Sequence, residues 1–201
     1  MADTDLWAQV SPRLTDARRQ RMIKTAGQRT KHVRLIMQDV HNPHNVAACL
    51  RSAEAFGLQD VHVVTLGETF RASSVAKGVG HWIHIHKHAS IASCVEDLRQ
   101  SGFRIVSAMP DPNVHSLSQV PVDHPLAVLF GNEHAGISEE WKPYVDSFFT
   151  IPMVGMVESL NISVSAAITL YTLTQRCREV LAPDAYFFSP SEQRALLSEW
   201  V

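Results

Sequence analysis

The chain has 201 residues, of which 45% are apolar, and a formal net charge of -2. That is enough apolar material for one packed domain with short appendages. No run approaches the roughly eighteen apolar residues of a membrane span, and no basic-then-apolar secretion signal opens the chain, so a cytoplasmic protein is expected. Its three cysteines, Cys49, Cys94 and Cys177, have neither metal nor redox spacing, which fits a reduced compartment.

The small net charge conceals an asymmetry. Between Arg13 and Arg34 stand eight cations (Arg13, Arg18, Arg19, Arg21, Lys24, Arg29, Lys31 and Arg34) against one acid, Asp16. Such a run is either a solvated helix face or an arm that grips phosphates. Residues 33–38, "VRLIMQ", then predict a strand. A helix near 44–56 follows, with Asn42-Pro43 as a turn, Asn45 as its N-cap and Gly57 as its stop. Its small apolar surface of Val46, Ala47, Ala48, Cys49 and Leu50 is interrupted by Arg51, a long cation on a close-packed helix.

"VHVVT" (61–65) and "WIHIH" (82–86) are the next strands, and a helix near 90–100 ends at Gly102. "RIVSA" (104–108) and "LAVLF" (126–130) follow, then a Gly-rich turn and a short helix near 138–145. "FFTI" (148–151) leads into an irregular loop and a long helix over about 161–180. Past Ala182 a Pro-containing turn precedes a short amphipathic helix capped by Ser189 or Ser191. Strands alternating with helices argue for an α/β domain whose largely parallel sheet is covered on both faces. There is no internal repeat and no low-complexity segment.

Three loops follow predicted strand ends, where open α/β sheets place their ligands. "HNPHN" precedes Arg51. "GNEHAG" (131–136) has the outer spacing of a phosphate loop, but Ile137-Ser138 stands where Lys-Ser/Thr is required, so it is not a nucleoside-triphosphate loop. No G-x-G-x-x-G occurs either. "IPMVGMVESLNIS" (151–163) has Gly155 for a tight turn, and Ser159 and Asn161 as alternative caps of the helix beyond.

In order and wording, N-x-x-x-x-x-R, "LFGNEHAGIS" and "IPMVGMVESLNISVSAAI" resemble the three motifs of the SpoU/TrmH-type RNA 2'-O-methyltransferases. The resemblance covers roughly residues 30 to 180. It implies the SPOUT α/β fold, whose C-terminal segment forms a deep trefoil knot, a rare exception to the rule against knotted chains. It also implies a homodimer that holds S-adenosylmethionine in the knot loops. On this reading residues 1–30 are a basic helical extension, 31–180 the methyltransferase domain and 181–201 a short helical tail.

Carried over by position, Arg51 matches the catalytic arginine and Asn45 the motif-one asparagine that supports it. Glu133 matches the motif-two glutamate, and Ser159 and Asn161 the motif-three polar pair. The donor-cradling positions are Ala108, Gly131, Ile151 and Leu160, whose main chain would recognise the methyl donor. The chemistry agrees with this inventory. Methylating a ribose 2'-hydroxyl is an in-line displacement at a sulfonium carbon, so alignment and help with one proton suffice and no metal is expected. Arg51 would act either as a partly deprotonated base or as a clamp on phosphate and developing alkoxide; its usual pKa above about 12 favours the clamp. Arg51 and Asn45 stand about 120° apart around a helix and would flank a site rather than stack.

Competing readings exist for each residue. Arg51 alone would pair with Glu54 three residues on, and Ser159 or Asn161 alone would be a helix cap. In "HWIHIHKH" (81–88), His84, His86 and His88 share a strand face at ligand-like spacing. With no carboxylate or cysteine close in sequence, a solvated face is expected there. For the substrate, the basic arm and the short tail resemble the TrmH subgroup, which methylates the D-loop guanosine at tRNA position 18. Ribosomal RNA or another tRNA position is the alternative. A catalytically silent RNA-binding dimer is the contrasting class, which intact Arg51, Asn45, Glu133 and Asn161 disfavour.

Overall fold

The computed structural model describes residues 5–65, 78–132 and 135–201. Seven parallel strands form one sheet in the order β3-β2-β1-β6-β4-β7-β5. They are β1 (Val33–Gln38), β2 (Asp60–Val64), β3 (His84–His88), β4 (Arg104–Ala108), β5 (His115–Ser116), β6 (Leu126–Phe130) and β7 (Ser147–Thr150). The strand expected at 82–86 lies two residues later. The backbone has its tight turn at Val79–Trp82, and Asp60 pairs with His84. β5, two residues long, carries too little pattern to be read from sequence.

Alternation along each strand sorts the core into two layers. Val33, Leu35 and Met37 of β1, with Val61 and Val63 of β2 and Leu126 and Val128 of β6, face one cluster. Ile36, Val64, Ala127 and Leu129 face the other. The first layer is covered by α3 (Pro43–Ala55) and α5 (Ile162–Val180), the second by α4 (Ile91–Gln100) and the buried Trp141. Each covering helix buries positions at helical spacing: Val46, Cys49, Leu50 and Ala53 in α3, Ile91, Cys94, Val95 and Leu98 in α4, Ala166, Leu170, Leu173 and Cys177 in α5. Truncating one of the fully buried leucines, such as Leu50 or Leu170, should cost about 2–5 kcal/mol. The helix expected at 138–145 is a 3-10 segment, Glu139–Tyr144, because Pro143 removes a donor from its middle.

The termini meet. Helices α1 (Leu6–Val10) and α2 (Asp16–Ala26) pack on α7 (Pro190–Glu199), which follows the short α6 (Pro183–Tyr186). Trp7, Met22, Ala26, Leu196, Leu197 and Trp200 form a third, separate cluster. Ser189, not Ser191, caps α7, and a capping box with Glu192 completes the turn. Two of the eight cations leave the arm. Arg29 is buried, donating to the Leu58 carbonyl and pairing with Glu54 at 2.8 Å, and Arg34 lies over the Phe103 ring at 4.2 Å. Among the described residues no helix is long and apolar enough to cross a membrane.

Candidate active site

β1, β6, β4 and β7 are adjacent in the sheet, so the loops after their carboxyl ends gather at one edge. Those loops carry the sequence motifs. Between them opens a cleft of ≈ 550 Å³ lined by Ala108, Gly131, Ile151, Ser159, Leu160 and Asn161, among others. The four positions proposed to cradle a donor therefore meet in one place, together with both polar residues of the third motif. The volume lies within the range of roughly 300–1,000 Å³ common for small-molecule sites.

Local chemistry explains why the loops hold this shape. The amide and carbonyl of Asn132 exchange hydrogen bonds with those of Gly136, at 2.8 and 2.9 Å, closing the turn. A Cβ on Gly131 would collide with the Gly136 carbonyl, which is backbone and cannot swing aside, so only glycine fits. Gly136 has φ +69°, the left-handed conformation that a side chain disfavours. The Asn132 side chain donates to the Asp39 carbonyl at 3.0 Å and accepts from the Ala135 amide at 3.1 Å. Gln38 at the end of β1 accepts from the Ser138 amide at 3.0 Å. Asn132 and Gln38 tie the first and second loops together, and sequence reasoning missed both. The visible signal was a polar residue closing or just following a strand: Gln38 at the end of "VRLIMQ" and Asn132 inside the second motif.

The first and third motifs touch directly. Asn161, not Ser159, caps α5, accepting from the Ser163 amide at 2.8 Å. Its Nδ2 donates to the Asn45 side chain at 3.2 Å. Asn45 is not the cap of α3. Asn42 is, accepting from the His44 amide at 2.9 Å, because Pro43 needs no amide partner at the first helical position. The helix thus starts earlier than expected, which places Asn45 in its first turn, against the cap of α5.

Arg51 lies exposed on α3, outside the cleft lining, and makes no hydrogen bond or ion pair with the described residues. Its expected partner Glu54 is taken by Arg29. Glu133 lies outside the described residues.

The histidine strand is not merely solvated. Its carboxylate comes from the neighbouring strand: Asp60 contacts His86 at 2.7 Å and His84 at 3.3 Å. Burial works against its charge, but those two hydrogen bonds and the nearby Arg34 hold the Asp60 carboxyl below its ordinary range. Its cysteine comes from α4: His62, His88 and Cys94 place their ligand atoms within 4.8 Å of one another. Burial pushes His62 down to about 3 and the Cys94 thiol up to about 12. A linear reading missed this because cross-strand and helix neighbours are invisible in it.

A cleft at the carboxyl ends of adjacent parallel strands, cut from main-chain loops, places the molecule among the open-sheet α/β proteins that bind ligands there. The class can be named more closely. Residues 32–171 match the SpoU rRNA Methylase family, and the chain belongs to it. It is 33% identical over 183 residues to a tRNA (guanosine(18)-2'-O)-methyltransferase of Escherichia coli, covering 89% of this chain and 80% of that one. A protein of the same name from Thermus thermophilus is 30% identical over 188 residues, covering 93% and 97%. Among solved structures, the A. aeolicus TrmH/SpoU tRNA modifying enzyme superposes with a TM-score of 0.80 at 26% identity, covering 92% of this chain and 95% of that one.

Proposed function

We propose that the chain transfers a methyl group from S-adenosylmethionine to the ribose 2'-hydroxyl of guanosine 18 in the tRNA D-loop. One observation carries the reading. The cleft that gathers Ala108, Gly131, Ile151 and Leu160 is bridged to the Arg51 helix through Asn161 and Asn45. The choice of tRNA is supported by relatives of that name from two organisms that align along most of their length.

The residues fit the donor. Ala108, Ile151 and Leu160 offer apolar walls, and Gly131 and its neighbours expose main-chain groups at the same cleft. When bound, the sulfonium supplies an electrophilic methyl and a neutral leaving group. What the chain must add is position and charge. Ser159 and Asn161 orient the polar end of the cleft, with Asn161 held by its capping bond. Glu133, from the second motif, completes the catalytic set. Arg51 clamps the phosphate beside the target ribose and stabilises the developing alkoxide while the 2'-proton passes to solvent. Its lack of partners among the described residues suits a guanidinium kept for substrate.

Three further features belong to this reading. The segment carrying the third motif threads the preceding loops as a deep trefoil knot. The protein works as a homodimer in the cytoplasm, where its three buried cysteines stay reduced. Val164, Ile168 and Tyr171 form an exposed apolar stripe on α5 next to Phe56, a face suited to a symmetric copy that brings Arg51 towards the partner's cleft. Residues 1–30 and 181–201 flank the methyltransferase domain of 31–180 and supply RNA contacts.

The test is direct. Purified protein, labelled donor and tRNA transcripts should yield one methylated ribose, read as a gap in the alkaline hydrolysis ladder at guanosine 18. A gap elsewhere, or methylation of ribosomal RNA alone, would replace the substrate. Sedimentation should report about twice the 22.4 kDa chain mass; an active monomer would overturn the dimer.

A further inference from the structure

The face of the sheet turned away from α3 and α5 holds a second group of reactive side chains that methyl transfer leaves unused. His62 of β2 is fully buried, and its Nδ1 lies 3.0 Å from Nε2 of His88 at the end of β3. The pairing of β2 with β3 sets His86 beside His62 and His88 beside Val64, so His88 is a diagonal neighbour on the same face. Helix α4 crosses above, with Cys94 and, three residues on, Asp97 directed to this corner. Asp97 Oδ2 stands 3.7 Å from His62 Nδ1 and 4.0 Å from His88 Nε2. Cys94 Sγ lies within 4.8 Å of one ring nitrogen of each histidine.

We propose that His62, His88 and Cys94, whose ligand atoms already converge, form with a rotated Asp97 carboxylate a four-coordinate site for a divalent cation of the zinc class, which fastens α4 to the β2–β3 edge. Two imidazoles, one thiolate and one carboxylate are the donor types that zinc and cobalt accept. Zinc–nitrogen bonds of about 2.0–2.1 Å set ligand–ligand separations of ~3.4 Å in a tetrahedron, and the observed 3.0, 3.7 and 4.0 Å lie on both sides of that value. The cation would sit off the line between the two imidazoles, towards Cys94 and Asp97, and small rotations of the rings bring their lone pairs to it.

Charge balances as well. A thiolate and a carboxylate carry two negative charges against the two positive charges of the cation, with both imidazoles neutral. On binding, the metal–sulfur bond forms and the Cys94 thiol proton leaves to solvent; nothing is oxidised or reduced. Asp97 is half exposed and gives the ion a way in. The nearby group of Asp60, His84 and His86 differs in kind. Asp60 already serves both imidazoles and lies 3.9 Å from Arg34, while the other nitrogen of His84 is bound to Glu199. Its demands are met from within the protein.

The experiment takes the full chain, stripped by chelator dialysis, and titrates it with cobalt(II) and then zinc(II). One equivalent of cobalt should produce the near-ultraviolet thiolate-to-metal charge-transfer band. Zinc should bleach the band and raise the thermal midpoint by several degrees. Cys94→Ser should lose the band, and His88→Gln should bind cobalt at least about tenfold more weakly. Cys49 and Cys177 belong to helices on the other face of the sheet and should not supply the sulfur. No band at stoichiometric cobalt, a band that survives in Cys94→Ser, or unchanged affinity in His88→Gln would overturn the site. Should Cys94→Ser fail to fold, Asp97→Asn and His88→Gln decide by affinity alone. The readout is independent of methyl transfer, so its failure would leave the proposed function standing.

Discussion

The cleft and the terminal module of α1, α2 and α7 are built by opposite means. The cleft is shaped by main chain: a reciprocal amide–carbonyl exchange between Asn132 and Gly136, a glycine with no room for a Cβ, and two asparagines in contact. The module is held by a small cluster of large side chains around Trp7 and Trp200 and shows its charge outward, with Arg18 and Arg21 beside a ≈ 360 Å³ hollow that also meets Trp82 and Trp200. A preformed backbone cradle selects a ligand by shape and loses function sharply when a single atom is added. A charged, exposed surface acts through screened electrostatics and loses function gradually, in a way that salt reveals.

The largest expected effect tests the cleft side of this contrast. Arg51→Ala should reduce methyl transfer by on the order of 10²–10³-fold or more, the scale of losing one charge-stabilising donor. Donor affinity should be unchanged, because Arg51 does not line the cleft. Single-turnover assays with calorimetry on the donor decide it, and near-normal turnover would remove Arg51 from the chemistry. Gly131→Ala comes next. Its new methyl group would force the 131–136 turn to move, an overpacking cost of about 1–3 kcal/mol. That corresponds to a roughly 5- to 150-fold loss of donor affinity, with the salt dependence of RNA binding untouched. An unchanged donor affinity would show that the turn yields freely.

On the module side, replacing Arg18, Arg19 and Arg21 with Ala should weaken tRNA binding and flatten the log-log salt slope by up to roughly three units. Arg19 is the smallest contributor, since it already pairs with Asp16 at 2.7 Å on the exposed face of α2. Donor affinity and the methylated nucleotide should stay the same. Equal slopes in wild type and triple mutant would make α2 a solvated surface and move the RNA footprint elsewhere.

This contrast also governs what the sequence revealed. The strands were legible because apolar runs fill a sheet buried on both faces, and β1, β4 and β6 lie where "VRLIMQ", "RIVSA" and "LAVLF" stand. The cleft was legible through its motifs, since glycines and capping polar residues at strand ends are local features. Contacts between distant segments were not. No local pattern pairs Arg29 with Glu54, sets Asp60 beside His84 and His86, or packs Trp7 against a helix nearly two hundred residues away. Nor does a charge count separate Arg29, which is buried, from Arg18, which is not. The cap of α3 was misplaced for a subtler reason: Asn42 and Asn45 are both suitable caps, and the fixed φ of Pro43 decides between them.

The smallest effect concerns the link between the module and the sheet. His84 of β3 contacts Asp60 through Nδ1 at 3.3 Å and Glu199 of α7 through Nε2 at 2.7 Å. The hydrogen bond with Asp60 raises its pKa against the pull of burial, Glu199 adds to it, and the result is about 9. An unfolded histidine titrates near ~6.5, so between these values the native chain holds a proton that the unfolded chain has released. The contribution of His84 to stability is therefore complete below pH ~6.5 and is lost as pH rises through about 9. Both His84 and Glu199 are substantially exposed, so screening keeps the effect under about 1 kcal/mol. Urea midpoints of wild type and His84→Gln, measured at pH ~6, ~8 and ~10, should differ most at the lowest pH and converge at the highest. A gap that does not change with pH would mean that the ring holds α7 to the sheet by packing alone. Donor affinity should be equal in the two proteins at every pH, because Asp60, His84 and Glu199 are not among the residues lining the cleft.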